Sequence, residues 1–464
     1  MRRILFVNAT DPLSETENRY RPLWPAYLAA YAENVIGRGQ LDFRFATEEI
    51  SKELHGYRPD LVAIGSVTQN FGYALDYARI CRNHGLPVVV GGPHVSLLPE
   101  TISENMDVGC IGEGEQTFTS LLELFLNEGG LKRQELAGID GLVFRDNGEI
   151  VKTRPRDLIR KLDEIPHPKR DVVGYDRDSY IVSSRGCPYK CAYCASAQFW
   201  KTYRFASAEY IVDEIVELIG HGSSIIRFND DLFAVNRLRL GKMIKLLSHR
   251  GFLGKVRFSV SCRANLVTEE LVSLLKQLNV VSVTMGLESG SDRVLKTLKN
   301  GASVEHNRKA LRLFKDAGIQ ANAFFIIGAP DETESEIHET YNFVGNNPVG
   351  FFDVFLLQPL PGTALWDYAL EHGLVSNTTM DWSRLRIDAR SNMTDAVVLS
   401  KELSRERLQS LYRKFMRLRL YNILKTLPRT PWLRFLPRIA WLAVSNELVR
   451  ILKKASRLLG TSRT

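Results

Sequence analysis

The 464-residue sequence contains no run approaching the roughly 18 uninterrupted apolar residues that a membrane-spanning helix needs. Its opening Met1-Arg2-Arg3 leads straight into strand-like sequence instead of a signal peptide. Together these features lead us to expect a cytoplasmic chain. Cysteine is scarce, six residues in all, and three of the six fall within eight positions. That distribution argues against a disulfide framework and suits a reducing compartment. Cys81, Cys110 and Cys262 are scattered and read as small buried core residues. No Gly-x-Gly-x-x-Gly string opens the first helical stretch, which disfavours a nicotinamide or flavin site. Acidic residues are nearly absent from the far end, where residues 413–464 hold 13 Lys and Arg against one acid, Glu447. The other 412 residues carry 48 basic and 52 acidic side chains, so the formal charge of +8 belongs to the tail. An apolar content of 44% is ordinary for a globular protein, and the length fits two to four domains.

The clustered cysteines lie in the stretch 183–200, S-S-R-G-C-P-Y-K-C-A-Y-C-A-S-A-Q-F-W, where Cys187, Cys191 and Cys194 have Cys-x3-Cys-x2-Cys spacing. They follow an apolar β-like run, and Gly186 and Pro188 break regular structure, which places them on a loop leaving a strand. Three thiolates this close suit a soft metal. A structural zinc site requires a fourth Cys or His at matching spacing, and no further Cys-x2-Cys or His-x3-His pair follows. A 4Fe-4S cluster takes four ligands, so three cysteines leave one iron open to an exogenous ligand.

This string, with an aromatic just before its last cysteine, resembles the signature of the radical S-adenosylmethionine (SAM) enzymes. The resemblance implies that the open iron chelates the amino and carboxylate groups of SAM. It also implies that one electron from the cluster cleaves SAM to a 5′-deoxyadenosyl radical, with an electron donor such as a flavodoxin or ferredoxin as partner.

Ahead of the signature, β-like runs at 4–7, 41–45, 61–65, 87–90 and 108–111 alternate with helical stretches. Such alternation predicts a doubly wound parallel sheet over 1–130, whose ligands bind beyond the carboxyl ends of the strands. Gly65-Ser66-Val67-Thr68, Gly91-Gly92-Pro93-His94 and Gly112-Glu113-Gly114-Glu115 fall at those ends, either as tight turns or as places where backbone approaches a bulky ligand. Ahead of such a signature the segment resembles the flavodoxin-like cobalamin-binding domain of the cobalamin-dependent radical SAM subfamily. By that resemblance Ser66, Thr68, Gly91, Gly92, Gly112 and Glu113 contact cobalamin. The loop Asn8-Ala9-Thr10-Asp11-Pro12-Leu13 lacks the Asp-x-His-x-x-Gly of other cobalamin domains, which implies a cobalt without a lower His ligand. His94 reads as a loop residue, not a cobalt ligand.

Residues 131–178 read as a linker with a small hairpin around Asp146-Asn147-Gly148 and a proline-stiffened end at Pro166 and Pro168. From 179 to 375, six β-like runs with helix-length segments between them predict a partial (β/α)6 barrel with chemistry at the carboxyl mouth. Polar residues end its strands, as ligand contacts or as ordinary helix caps. The resemblance assigns Asn229, Asp230, Asp231, Glu288, Ser289, Gly328 and Pro330 to SAM, and Arg263 to SAM or substrate, while Asp331 departs from the more usual Gly.

Residues 376–464 read as a helical basic extension, with Leu403, Leu408, Leu411 and Phe415 at helical spacing and Arg and Lys interleaved with Trp432, Phe435 and Trp441 beyond. Such a surface suits anionic lipid or a lid under the barrel, and suits nucleic acid less well. The resemblance as a whole implies cobalamin-dependent methylation of an unactivated carbon on a small-molecule or lipid-like substrate. Radical cyclisation, oxidation or rearrangement without methyl transfer, and a non-enzymatic cobalamin or iron–sulfur sensor, stand as alternatives.

Overall fold

Strand β1 (Arg2–Ala9) is apolar on both faces. Ile4 and Phe6 pack with Ala29, Phe118 and Leu122, while Leu5 and Val7 pack with Phe71, Ala74 and Ala78. A strand covered on both sides belongs in a parallel sheet with helices on each face. Accordingly β1 pairs in parallel with β2 (Leu41–Phe45) and β3 (Leu61–Ser66), and the sheet continues through β4 (Val88–Gly91) and β5 (Val108–Cys110) in the order 2-1-3-4-5. That order is flavodoxin-like and doubly wound. The computed structural model describes residues 1–464 except 13, 15, 16, 19, 20, 48, 387–394 and 427–464.

The hairpin expected in the linker instead completes this sheet. Strands β6 (Leu142–Asp146) and β7 (Glu149–Lys152) add antiparallel to β5, making seven strands. Gly109 explains the join, because a Cβ there would stand 2.8 Å from Val143 and from Val95. The bare backbone lets β6 close on β5. The rest of the linker packs the other way, with Ile159, Leu162 and Ile165 buried in the core of the second unit.

That second unit is a six-stranded, all-parallel sheet. It begins with β8 (Asp178–Ile181), after which β9 (Ser184–Arg185) and β10 (Arg204–Phe205) form a small antiparallel pair on either side of the cysteine loop. The sheet runs on through β11 (Ile225–Phe228), β12 (Arg257–Cys262), β13 (Val280–Glu288), β14 (Gln320–Ile327) and β15 (Phe351–Leu356), in sequential order with helices between. This is a partial barrel with open edges at β8 and β15. Loops at its carboxyl mouth share an apolar core with one face of the first sheet, where Leu298, Ala329 and Leu357 join Val90, Val95 and Phe71.

Beyond the barrel the expected helical extension begins as a strap that returns to the first unit. Trp382 packs edge-on against His94 at 4.6 Å, and Arg386 donates to Asp11 at 2.8 Å and to the Tyr73 hydroxyl at 3.2 Å. One helix follows, Arg405–Thr426, burying Leu408, Leu411 and Phe415 against the barrel and pairing Arg419 with Asp353 of β15. It covers an edge strand that would otherwise present unpaired backbone. Trp432, Phe435 and Trp441 lie outside the described residues. Among the described residues no helix is long and apolar enough to cross a membrane.

Candidate functional site

The chain is fixed immediately before the cysteines begin. Asp230, just after β11, accepts through Oδ1 from the backbone N–H of Ser183 (2.7 Å) and Ser184 (3.2 Å), and through Oδ2 from their hydroxyls (2.5 and 2.8 Å). Ser261 donates to the Asp230 carbonyl at 2.9 Å, and Arg239 donates to the Ser183 carbonyl at 2.9 Å. Burial raises the Asp230 pKa, and the serine donors oppose the rise. Expected to meet SAM, this carboxylate is saturated inside the protein instead and braces the loop. Its neighbours Asn229 and Asp231 are the exposed members of the trio, with Asp231 accepting from Ser196 Oγ at 2.6 Å.

Arg185 anchors the same root to the first unit. Its Nη1 donates to Glu113 at 2.6 Å and its Nη2 to Glu115. Glu113 also accepts from Arg204 Nη1 at 2.8 Å and from the backbone N–H of Ile159 at 2.9 Å. Burial works against the ionised form of Glu115, and Arg185 overcomes it, holding the carboxyl below its ordinary value. The Glu113 side chain, expected at cobalamin, is therefore consumed by two arginines of the cysteine-loop hairpin.

The loop tip is built differently. Cys187, Cys191 and Cys194 are free and only partly buried. Burial pushes the Cys194 thiol up to about 11 and raises Cys187 as well, so a metal that binds them must displace protons. Arg263 reaches in from the end of β12, donating to Cys191 Sγ (3.3 Å), the Asn300 carbonyl (2.6 Å) and Asn265 Oδ1 (2.9 Å), with its guanidinium 3.9 Å from the centre of the Tyr189 ring. Its three nitrogens, expected to meet SAM or substrate, are thus each engaged within the protein, by Asn265, Cys191 and Asn300. From β13, Glu288 accepts from Tyr193 OH (2.6 Å) and Lys299 Nζ (2.9 Å), in a left-handed backbone conformation (φ 63°) that turns the carboxylate toward the loop. Among the described residues no three Cys, His, Asp or Glu side chains converge on one point as a single metal ion requires. Thiolates that each take a different iron of a cluster need no such convergence.

The remaining strand-end positions divide. Ser289 turns from the loop, its hydroxyl 3.0 Å from that of Thr340. Gly328 (φ 87°) and Ala329 donate their backbone N–H groups to Glu332 Oε2 at 2.7 and 3.2 Å, and the Pro330 carbonyl accepts from Lys401 at 2.8 Å. Burial lifts the Glu332 carboxyl to about 7.

On the first unit, Ser66 and Thr68 are buried at the end of β3, and Ser66 Oγ donates to the Val67 carbonyl at 3.0 Å. Gly92 (φ 105°) is required by the fold, since a Cβ there would sit 2.5 Å from the Ser66 carbonyl oxygen. Gly91 precedes it at the end of β4. Gly112 (φ 81°) faces open space, with nothing within 4 Å of its would-be Cβ. His94 is not a loop residue. It lies in the first turn of the helix Pro93–Leu97, fully buried against Phe71 at 3.8 Å, and burial drops its pKa to about 3.

Comparison with known proteins places both halves. Residues 181–344 match the Radical SAM superfamily and residues 10–122 the B12 binding domain. An uncharacterized methyltransferase of Pyrococcus horikoshii is 32% identical over 85% of this chain and 86% of its own length. The chain belongs to the cobalamin-binding radical SAM family. An anaerobic magnesium-protoporphyrin IX monomethyl ester cyclase of Cereibacter sphaeroides is 26% identical, covering 78% of this chain and 63% of that protein. The radical S-adenosylmethionine methyltransferase TsrM of Kitasatospora setae, solved with cobalamin and a 4Fe-4S cluster, shares the fold with a TM-score of 0.68 at 19% identity, over 90% of this chain and 89% of that one.

This cobalamin-dependent radical SAM enzyme uses a 4Fe-4S cluster, SAM and cobalamin, and its residues fit them. Three soft thiols free of disulfides suit iron and sulfide better than a hard cation. Val67, 37% exposed between two buried neighbours, and the open backbone at Gly112 offer cobalamin an apolar, uncrowded approach. Arg185, Glu115 and Lys299 escaped the sequence reading as site residues. Tyr193 was visible only as the aromatic inside the signature, and nothing in its local pattern marks Lys299.

Proposed function

We propose that the enzyme methylates an unactivated carbon of a small-molecule or lipid-like substrate. The likeness to the Pyrococcus methyltransferase over most of both chains carries this reading. Cys187, Cys191 and Cys194 would hold the cluster. Asn229, Asp231, Glu288, Gly328 and Pro330 would border SAM, and Ser66, Thr68, Gly91, Gly92 and Gly112 would border cobalamin. When bound, the cluster with SAM supplies hydrogen-atom abstraction from carbon, and cobalamin supplies a methyl group. Methylation of a C–H bond lacking nucleophilic electrons needs both. The chain's own work is to orient the groups and keep water from them, through the braces at Asp230, Arg185 and Arg263. An electron donor such as a flavodoxin or ferredoxin would complete the system.

The test is product stoichiometry after anaerobic reconstitution with cobalamin. One S-adenosylhomocysteine and one 5′-deoxyadenosine per methylated product are expected. With 5′-deoxyadenosine alone beside a ring-closed or oxidised product, methylation fails and the second reading stands, which the likeness to the Cereibacter cyclase favours.

The basic end supports a peripheral membrane contact within this proposal. Leu420 and Tyr421 are 53% and 61% exposed, beside exposed Arg413 and Arg417 on one helix. Apolar side chains ringed by cations suit an anionic lipid surface. Truncation at about residue 420 is expected to abolish co-sedimentation with phosphatidylserine vesicles, and unchanged sedimentation would remove the idea.

A further inference from the structure

The guanidinium of Arg185 joins the groove loop of the first unit to the cysteine loop of the second. Arg185 stands two residues before Cys187, and its fork spans both carboxylates of Gly112-Glu113-Gly114-Glu115, with Nη1 on Glu113 at 2.6 Å and Nη2 on Glu115. Arg204, opposite Arg185 in the β9–β10 pair, closes the set on Glu113 at 2.8 Å. All four side chains are only 6–8% exposed. Trp200 lies alongside, its ring 5.4 Å from the Arg185 guanidinium.

Relying on the proposal that Gly112 borders cobalamin, we propose that Glu113, Glu115 and Arg185 are positioning residues that make the placement of Cys187 respond to cobalamin in the groove. Open glycine and paired carboxylates belong to one four-residue turn, so the carboxylates gauge where that turn lies. A planar fork held at two points transmits direction as well as position, unlike a flexible single contact. Side chains only 6–8% exposed have little access to solvent that could replace a broken contact, so a shift of residues 112–115 carries Arg185 with it. Gly186 offers no slack, because its neighbours Thr202 and Trp200 already crowd the space a side chain would take.

The experiment is hydrogen exchange on the anaerobically reconstituted, cluster-loaded full chain, with and without hydroxocobalamin, whose binding is followed optically. In the unaltered enzyme cobalamin is expected to slow exchange across residues 183–190. The paired variant Arg185→Met, Glu115→Leu replaces one buried ion pair by apolar volume and leaves Glu113 with Arg204. It is expected to bind cobalamin and lose that slowing. A variant that keeps the slowing overturns the proposal. So does one that no longer binds cobalamin, because these residues would then belong to the binding site itself. Absence of slowing in the unaltered enzyme, with cobalamin bound, overturns it without any variant. Failure of the unaltered enzyme to bind cobalamin would instead count against the groove assignment on which the proposal rests.

Discussion

The root of the cysteine loop, residues 183–186, and its tip, residues 187–194, differ in character although adjacent in sequence. At the root every residue is buried, and Asp230 alone satisfies two backbone N–H groups and two hydroxyls. At the tip the cysteines are partly exposed, and the contacts from outside come chiefly from Arg263 and from Glu288 through Tyr193. The difference teaches how a protein prepares for a group it must receive. Polar atoms that have no role in binding are saturated internally, since a buried group left unpaired costs more than the bond itself returns. The segment that carries the cysteines keeps spare capacity.

The largest effect should separate root from tip most sharply. Asp230→Ala leaves four buried donors without an acceptor, and cluster-free protein is expected to lose about 3–5 kcal/mol in equilibrium urea unfolding, the range for breaking a buried charged network. Cys187→Ala is expected to change the same measurement by no more than about 0.5 kcal/mol, as for a substitution outside the packed core. The same variant should fail to develop the iron–sulfur absorbance on reconstitution. If the two variants unfolded at the same urea concentration, the division into root and tip would be wrong.

A second measurement asks whether burial or partnership defines the root. Glu332 is as buried as Asp230, yet among the described residues only its Oε2 is engaged, by Gly328 and Ala329, and Oε1 finds no hydrogen-bond partner. Burial raises this carboxyl from 4.5 to about 7. A raised acid favours the folded state when protonated, so its contribution is complete below the unfolded value and disappears as pH climbs through about 7. That amounts to about 3 kcal/mol across the window. Glu332→Gln keeps an acceptor for both N–H groups and removes the charge. Its stability relative to the parent is therefore expected to rise between pH 5 and 8, and a constant difference across that range would mean the carboxyl titrates normally.

Much of this was legible in the residues and some was not, for identifiable reasons. Alternation of β-like and helical runs reports local burial, which is why the doubly wound sheet and the partial barrel could be read from it. A hairpin's neighbour is another matter: nothing within 142–152 says that β5 waits at an open edge, and only Gly109 hints at the fit. The cysteine spacing named the cluster because ligands to one group must be near in sequence when one loop supplies them. The polar strand ends were found, but a carboxylate that binds a ligand and one that braces a loop have the same letter. Asp230, Glu113, Arg263 and Ser289 proved to be occupied by partners 47, 72, 72 and 51 positions away, and such distances carry no local signal.

Arg263 offers the finest test of the contrast, since it is a well-buried cation that touches a tip sulfur. A donor to a cluster thiolate stabilises the reduced, more negative state more than the oxidised one. Loss of a hydrogen bond of about 1 kcal/mol corresponds to a shift of about 40 mV for a one-electron couple. Arg263→Met retains volume beside Tyr189 while removing the donor to Cys191, so the midpoint potential in an EPR-monitored redox titration is expected to move negative by that amount. Arg263→Lys keeps the charge but not the fork that also holds Asn300 and Asn265, and it should fall between the two. A midpoint unchanged in both variants would make Arg263 a brace like Asp230, and the boundary between root and tip would move past Cys191.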